Sequence, residues 1–248
     1  MDMPSYVLLS QEQALQRRLD VAANNMANMN TAGFKAEQPV FHEYVAQAGD
    51  TADATAKPTT SFVLDYGAVH DLGPGAFEPT GNPLDVMIEG PGYLAVSLPS
   101  GGTAYTRAGA LKLSPTGELT AANGALLQGE GGSPITIPPE QMGQVSIAKD
   151  GTVSTPQGPV GRIAVTTFGA EGSVNPRGDG LFDGRNGTEL PATETHLTAG
   201  GIEGSNVQPI AETTKMVEIL RAYQSSVAMS SSLNDMRQHA IDQLGKAS

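Results

Sequence analysis

The chain has 248 residues and a formal net charge of −12, with 14 Lys and Arg against 26 Asp and Glu. That balance, with no basic run to offset it, repels a phosphate backbone and gives an anionic membrane surface nothing to hold. Cysteine is absent, which excludes disulfides, thiol catalysis and Cys-ligated metals.

The length suits one large β domain or one medium domain with appendages. Apolar residues make up 39%, there is no Trp, and Phe and Tyr number six each. The core is therefore expected to be aliphatic and thin. The 30 Gly and 17 Pro favour many turns over long internal helices. The opening Met1-Asp2-Met3-Pro4 has neither a basic n-region nor an apolar h-region, so a cleavable secretory signal is not expected. No stretch approaches the roughly 20 apolar residues of a membrane span.

Residues 6–32 predict an amphipathic helix. Leu8, Leu15, Leu19, Ala22, Met26 and Met29 fall at steps of 7, 4, 3, 4 and 3, the spacing of a coiled-coil seam. Glu12 interrupts it. Ser5 can cap the start, and Gly33 is placed for a left-handed stop. Asn24, Asn25, Asn28 and Asn30 are unusual in a helix, because Asn is a poor helix former. Asn24 and Asn28, four apart, would share a face and could fix the register of a helix interface. The alternative is a fraying helix end.

Residues 36–75 read as an extended linker or loop, with a small, polar, aperiodic stretch at 46–60. From 76 to 200, short apolar runs alternate with turns. Strands are expected at 85–88, 93–96, 110–113, 118–120, 145–147 and 161–165. Asn123-Gly124, Asp150-Gly151, Asp183-Gly184 and Asn186-Gly187 are tight-turn dipeptides. An antiparallel β domain follows.

The last segment, 201–248, predicts a second helix over 209–244. Met216, Leu220, Tyr223 and Val227 mark one face, then Leu233, Met236, Ala240 and Leu244 take over. Ser225-Ser226 and Ser230-Ser231-Ser232 lie between the two sets. Such a helix is marginal alone, so its packing must come from another helix. The fold class expected is mainly β with terminal α-helices that pair as a coiled coil.

Residues that carry chemistry are scattered. His42, His70, His196 and His239 lack metal-ligand spacing, so no metal site is expected. No nucleophile elbow occurs, and Gly129-Glu130-Gly131-Gly132-Ser133 lacks the Lys of a phosphate loop. Arg177-Gly178-Asp179 matches an adhesion tripeptide that is cheap to match by chance. Asp85 and Glu89 would lie more than about 10 Å apart along a strand and read as surface carboxylates. No catalytic residue and no cofactor is expected. A secreted β-rich binding module or enzyme would need a pocket with convergent polar groups.

Four motifs, in order, carry a resemblance over nearly the whole chain. They are residues 24–35 (Asn24-Asn25-Met26 to Gly33-Phe34-Lys35), 81–93 (Gly81-Asn82-Pro83-Leu84-Asp85-Val86 with Gly90-Pro91-Gly92-Tyr93), 105–119 (Tyr105-Thr106-Arg107-Ala108-Gly109 with Gly117-Glu118-Leu119) and 203–223 (Glu203-Gly204-Ser205-Asn206-Val207 with Met216-Val217 and Arg221-Ala222-Tyr223). Together they resemble the bacterial flagellar rod and hook proteins. The opening residues, Phe62-Val63-Leu64-Asp65 and the modest length look most like the proximal-rod branch, with the distal-rod branch or another axial subunit as the alternative.

The resemblance implies a structural subunit of the basal-body rod, a helical assembly with itself and with other rod subunits. It implies passage through the flagellar type III export apparatus into the periplasm without a cleaved signal. Nucleic acid and direct membrane insertion are not implied. The assembly interface is expected at Leu8, Leu15, Leu19, Ala22, Asn24, Asn25, Met26, Asn28, Met29, Asn30, Gly33, Phe34, Asn206, Met216, Leu220, Tyr223, Val227, Leu233, Met236 and Leu244. In the free subunit the terminal helices are expected to be largely unordered, folding as they assemble.

Overall fold

The computed structural model describes residues 3–47, 59–169 and 174–246. The chain divides into two compact units. One comprises Met1–Ala27, Glu37–Val69 and Gln208–Ser248, and the other Asn28–Ala36 and His70–Val207.

The first unit, the helical unit, holds the two helices. Helix α1 spans Met3–Ala27. Its middle, Gln11 to Leu19, is made almost wholly of strong helix formers. It ends at Ala27 rather than near residue 32, because Asn28 to Asn30 favour turns over helix. The amide of Thr31 donates back to the carbonyl of Asn28 at 3.1 Å. Asn24 and Asn28 therefore do not share a helix face.

Two strands, β1 (Glu37–Gln47) and β2 (Thr59–His70), form a two-stranded sheet inside the segment expected to be linker. Most of the polar stretch 46–60 lies outside the described residues. Arg17 of α1 pairs with Asp65 of β2 at 3.3 Å. Helix α2, Pro209–Lys246, is one continuous element of 38 residues. Pro209 opens it, where a missing N–H costs nothing, and it runs through both serine groups unbroken. Among the described residues no helix is long and apolar enough to cross a membrane.

The second unit, the β unit, is built from short strands. In chain order they begin β3 (Phe77–Pro79), β4 (Val86–Ile88), β5 (Tyr93–Ser97), β6 (Thr103–Thr106), β7 (Leu111–Leu113), β8 (Leu119–Ala121) and β9 (Leu126–Leu127). They continue as β10 (Ser146–Ile147), β11 (Thr152–Thr155), β12 (Gly158–Arg162), β13 (Val165–Thr167), β14 (Val174–Gly178), β15 (Leu181–Gly184) and β16 (Thr188–Glu189). Last come β17 (Leu197–Ala199) and β18 (Gly201–Glu203).

The largest sheet has nine strands, ordered β14-β15-β6-β5-β9-β8-β7, with β13 pairing both β5 and β16. Strand β5 sits at its centre, and four of its five residues are buried, so it reads as a continuous apolar run. Val86, Leu94, Leu119, Leu127, Ile163 and Leu197 are among the residues of an almost purely aliphatic core. A second cluster, Tyr93, Val174 and Phe182, gathers the aromatic rings Tyr105 and Phe168.

Three local expectations differ from the structure. The run 161–165 splits between β12 and β13, because the amide of Ile163 turns away to the carbonyl of Gly151. Asp183-Gly184 lies within β15, and the turn before it uses Asp179 and Gly180, with φ of +54° and +69°. Asp85 is buried rather than on the surface. It accepts hydrogen bonds from the Thr80 hydroxyl at 2.6 Å and the Asn82 amide at 2.9 Å, which close the turn leading into β4. Glu89 is exposed and accepts from the hydroxyl of Thr198.

Strands β17 and β18 bring the end of the β unit back to its start. Leu197 to Ala199 pair antiparallel with Ile88 to Val86, and Gly201 to Glu203 pair with Pro79 to Phe77. The chain thus leaves the β unit beside where it entered.

Candidate functional site

In the helical unit, α1 and α2 pack on each other around Leu15, Ala22 and Ile219, flanked by Leu19, Met216, Ala222 and Tyr223. On α1 the buried apolar residues are Leu8, Leu15, Val21 and Ala22, with Leu19 and Met26 half-buried; all but Val21 follow the spacing read from the sequence. On α2 the line is shifted. Glu212, Ile219 and Ser226 are buried at steps of seven, while Leu220 and Val227 are 41% and 42% exposed. Ile219 was not among the expected residues. It sits three after Met216 and four before Tyr223, a helical spacing that the apolar Leu220 beside it obscures.

The serine zone has a purpose in this packing. Ser226 faces Glu12, the residue that breaks the α1 seam, with 3.5 Å between hydroxyl and carboxylate. Further along α2, Leu233 is half-buried and Met236 is 58% exposed. The side chain of Leu244 lies outside the described residues.

Of the asparagines, Asn25 is the buried one, at 2% exposure. Its amide donates to the carbonyl of Glu37 at 2.9 Å, and its oxygen accepts the amide of Glu37 at 2.8 Å. One side chain thus replaces a strand partner at the start of β1. Asn24, Asn30 and Met29 are exposed and Asn28 is half-buried. Asn25→Ala is expected to leave both backbone groups of Glu37 without their partner. The loss is about 1–3 kcal/mol, and amide exchange at Glu37 would report it.

In the β unit, the motifs of the sequence converge on a buried ionic clasp. Lys35, Arg107 and Glu203 are 1%, 5% and 0% exposed. Glu203 Oε1 accepts from Lys35 Nζ at 2.7 Å and from the amide of Gly75 at 2.9 Å. Its Oε2 accepts from Arg107 Nη1 at 3.1 Å. Lys35 also donates to the carbonyl of Gly73 at 2.7 Å, and Arg107 to that of Gly90 at 2.7 Å. The Arg107 guanidinium lies 5.5 Å from the centre of the Tyr93 ring, within cation–π range.

Two basic side chains share one carboxylate. Burial pulls the Lys35 ammonium below its usual range, and the hydrogen bond and charge of Glu203 oppose that pull. Burial pushes the Tyr93 phenol up.

Gly33 and Asn206 complete the clasp. Gly33 is left-handed, with φ of +69°, and its amide donates to the carbonyl of Glu203 at 2.8 Å. A Cβ there would lie 2.5 Å from the carbonyl carbon of Arg107. Gly33→Ala therefore combines backbone strain of about 1–3 kcal/mol with a clash against main chain. A lowered urea midpoint of the β unit would register it. Asn206 accepts the amide of Ala36 at 2.7 Å and donates to the carbonyls of Asp71 at 2.8 Å and Gly73 at 3.1 Å. Phe34 is half-buried, and its carbonyl accepts the Asn206 amide at 3.3 Å. Three stretches of chain, at 33–36, 71–75 and 203–206, are thereby tied together.

Gly33, Phe34 and Asn206 thus meet in the clasp of the β unit. Lys35, Arg107 and Glu203 were absent from the expected set. Each stands inside a quoted motif, as a charged residue next to Gly or Ala, but ion pairing across such distances leaves no local mark. Among the described residues no group of three His, Asp or Glu is placed to hold a metal ion.

The Flagella basal body rod protein family matches residues 6–35, the Flagellar hook protein FlgE/F/G D1 domain residues 87–155, and the Flagellar basal body rod FlgEFG protein C-terminal family residues 198–243. The chain is 37% identical to the flagellar basal-body rod protein FlgF of Caulobacter vibrioides, over 99% of both chains. The chain belongs to the flagellar basal-body rod and hook protein family. Among other members, the Escherichia coli FlgF is 31% identical over 95% of each chain. The Caulobacter vibrioides FlgG is 33% identical, over 91% of this chain and 93% of the relative. Within one organism, then, this family member is more similar to FlgF than to FlgG. The clasp draws on all three matched regions or their immediate flanks: Lys35 ends the first, Arg107 lies in the second and Glu203 in the third.

Proposed function

We propose that this chain is a structural axial subunit of the bacterial flagellar rod, FlgF-like, that polymerises through its terminal helices to build part of the motility drive shaft. Full-length similarity to FlgF relatives carries the rod assignment. The apolar residues that α2 leaves outward carry the route of assembly. Val217, Leu220, Val227, Met229, Met236 and Ile241 are all exposed on one helix. In a helical assembly such faces meet neighbours by heterologous contacts that leave both ends open to growth. There the helices pair as a coiled coil, within and between subunits. Export through the flagellar type III apparatus, arrival in the periplasm without a cleaved signal, and a non-enzymatic role belong to the same reading.

The helix pair buries few residues completely, Leu15, Ala22 and Ile219 among them, so its own stability is small. In the free subunit, amides of α1 and α2 are expected to exchange fast while those of the β core stay protected. Equal protection in both would place the barrier to premature polymerisation elsewhere.

The absence of native cysteine makes the decisive experiment clean. Met236→Cys and Val227→Cys subunits are expected to cross-link to adjoining subunits in purified basal bodies, while Asn123→Cys in the β unit does not. Helix cysteines that stay uncross-linked and open to maleimide would sink the reading.

A further inference from the structure

Two Asn-Gly dipeptides lie in the β unit, Asn123-Gly124 between β8 and β9 and Asn186-Gly187 between β15 and β16. Such a pair carries chemistry of its own. The Gly backbone nitrogen can attack the amide carbon of the Asn side chain, and Gly, lacking a Cβ, leaves that approach open. A carbon–nitrogen bond forms, and the side-chain nitrogen leaves as ammonia with the proton that the Gly nitrogen gives up. Water then opens the resulting cyclic imide at one carbonyl or the other, giving Asp or isoaspartate. In isoaspartate the main chain runs through the former side chain and is one atom longer.

Both dipeptides are exposed, so exposure does not tell them apart. Bonding does. At the first, the nucleophile is tied down: the Gly124 amide donates to the carbonyl of Ala121 at 2.9 Å. The target is tied as well. The Asn123 side-chain oxygen accepts the amide of Ala125 at 3.1 Å, and its nitrogen donates to the carbonyl of Asp179 at 3.4 Å. At the second, among the described residues, nothing bonds the Asn186 side chain or the Gly187 amide. No hydrogen bond there opposes the rotation that brings the two groups together.

We propose that Asn186 is a site of spontaneous deamidation, with water as the only co-reactant, and that the fold protects Asn123. The product adds one negative charge to a chain already at −12. The isoaspartate form also disturbs its surroundings. Thr188 and Glu189, which follow directly, pair with Thr167 and Thr166. Gly187 itself sits so close to β13 that a Cβ would lie 2.5 Å from Thr166 Cγ2. A longer main chain immediately before that contact pushes β16 off β13. It also draws Glu189 from Arg162, now at 3.7 Å.

The test ages the purified full chain at mildly alkaline pH, folded and in parallel in urea. Each sample is digested at acid pH, and both sites are read by mass spectrometry. In the folded chain Asn186 is expected to convert, with Asn123 slower by about tenfold or more, because its hydrogen bonds must open first. In urea the two rates should become similar. Asn186→Gly, which adopts the φ of +57° at this position without strain, should remove the reaction here. The Leu190 amide donates to the carbonyl of Val165 at 2.8 Å. Its hydrogen exchange should quicken in the converted chain and stay unchanged in Asn186→Gly aged the same way. An intact Asn186, equal rates at both sites in the folded chain, or a difference that persists in urea would each overturn the proposal. Unchanged exchange at Leu190 after conversion to isoaspartate would overturn the displacement of β16.

Discussion

Glu203→Gln is expected to destabilise the β unit by about 3–5 kcal/mol, the usual cost of breaking a buried ion pair from one side. Lys35 and Arg107 would both be left buried without the carboxylate that they share. A typical domain has only about 5–15 kcal/mol in total, so much of the population would unfold. Urea denaturation followed by tyrosine fluorescence measures it directly, since the chain has no Trp. Lys35→Met should cost less than Glu203→Gln. It leaves the Arg107–Glu203 pair and the Gly75 amide in place on the carboxylate. A Glu203→Gln variant as stable as the parent would mean that the clasp contributes no net stability.

Leu15→Asp is expected to separate assembly from folding. Leu15 is 7% exposed, at the centre of the cluster with Ala22 and Ile219. A carboxylate there would be buried against apolar side chains, which the small core of the helix pair cannot offset. The helices should come apart while the β unit keeps its urea midpoint and its amide protection. Such a subunit should be absent from purified basal bodies, and the cells should not swim. Gln11→Asp, on the exposed side of the same helix, is the matching control. Normal incorporation of the Leu15→Asp subunit would refute assembly through this seam.

The two helices and the β character of the middle were legible because each rests on local periodicity. The α1 seam was legible in its spacing, from Leu8 through Ala22, but not in full: Val21 is buried beside Ala22 off the heptad line, while Met29, which lies on it, is exposed. On α2 the same rule misled. Glu212 and Ser226 occupy inward positions, and Leu220 and Val227 point outward, so the most apolar line is not the packed one. An outward apolar line is what a polymerising helix needs, and a single chain does not display its partner. The strands β1 and β2 were hidden by the polar stretch between them. The clasp was hidden for a different reason. Lys35 and Glu203 are 168 residues apart, and neither charge is distinguishable from a surface residue until the sheets close.

That separation has a consequence for the life of the chain. During synthesis Lys35 and Arg107 emerge long before the carboxylate that neutralises them, and Gly33 and Ala36 wait as long for their partners at residues 203 and 206. A polypeptide cut short before Glu203 would have to bury two bare cations to close its β unit. Closure of the clasp is therefore a late event, which needs residues 33–36, 107 and 203–206 together and so nearly the whole chain up to the threshold of α2.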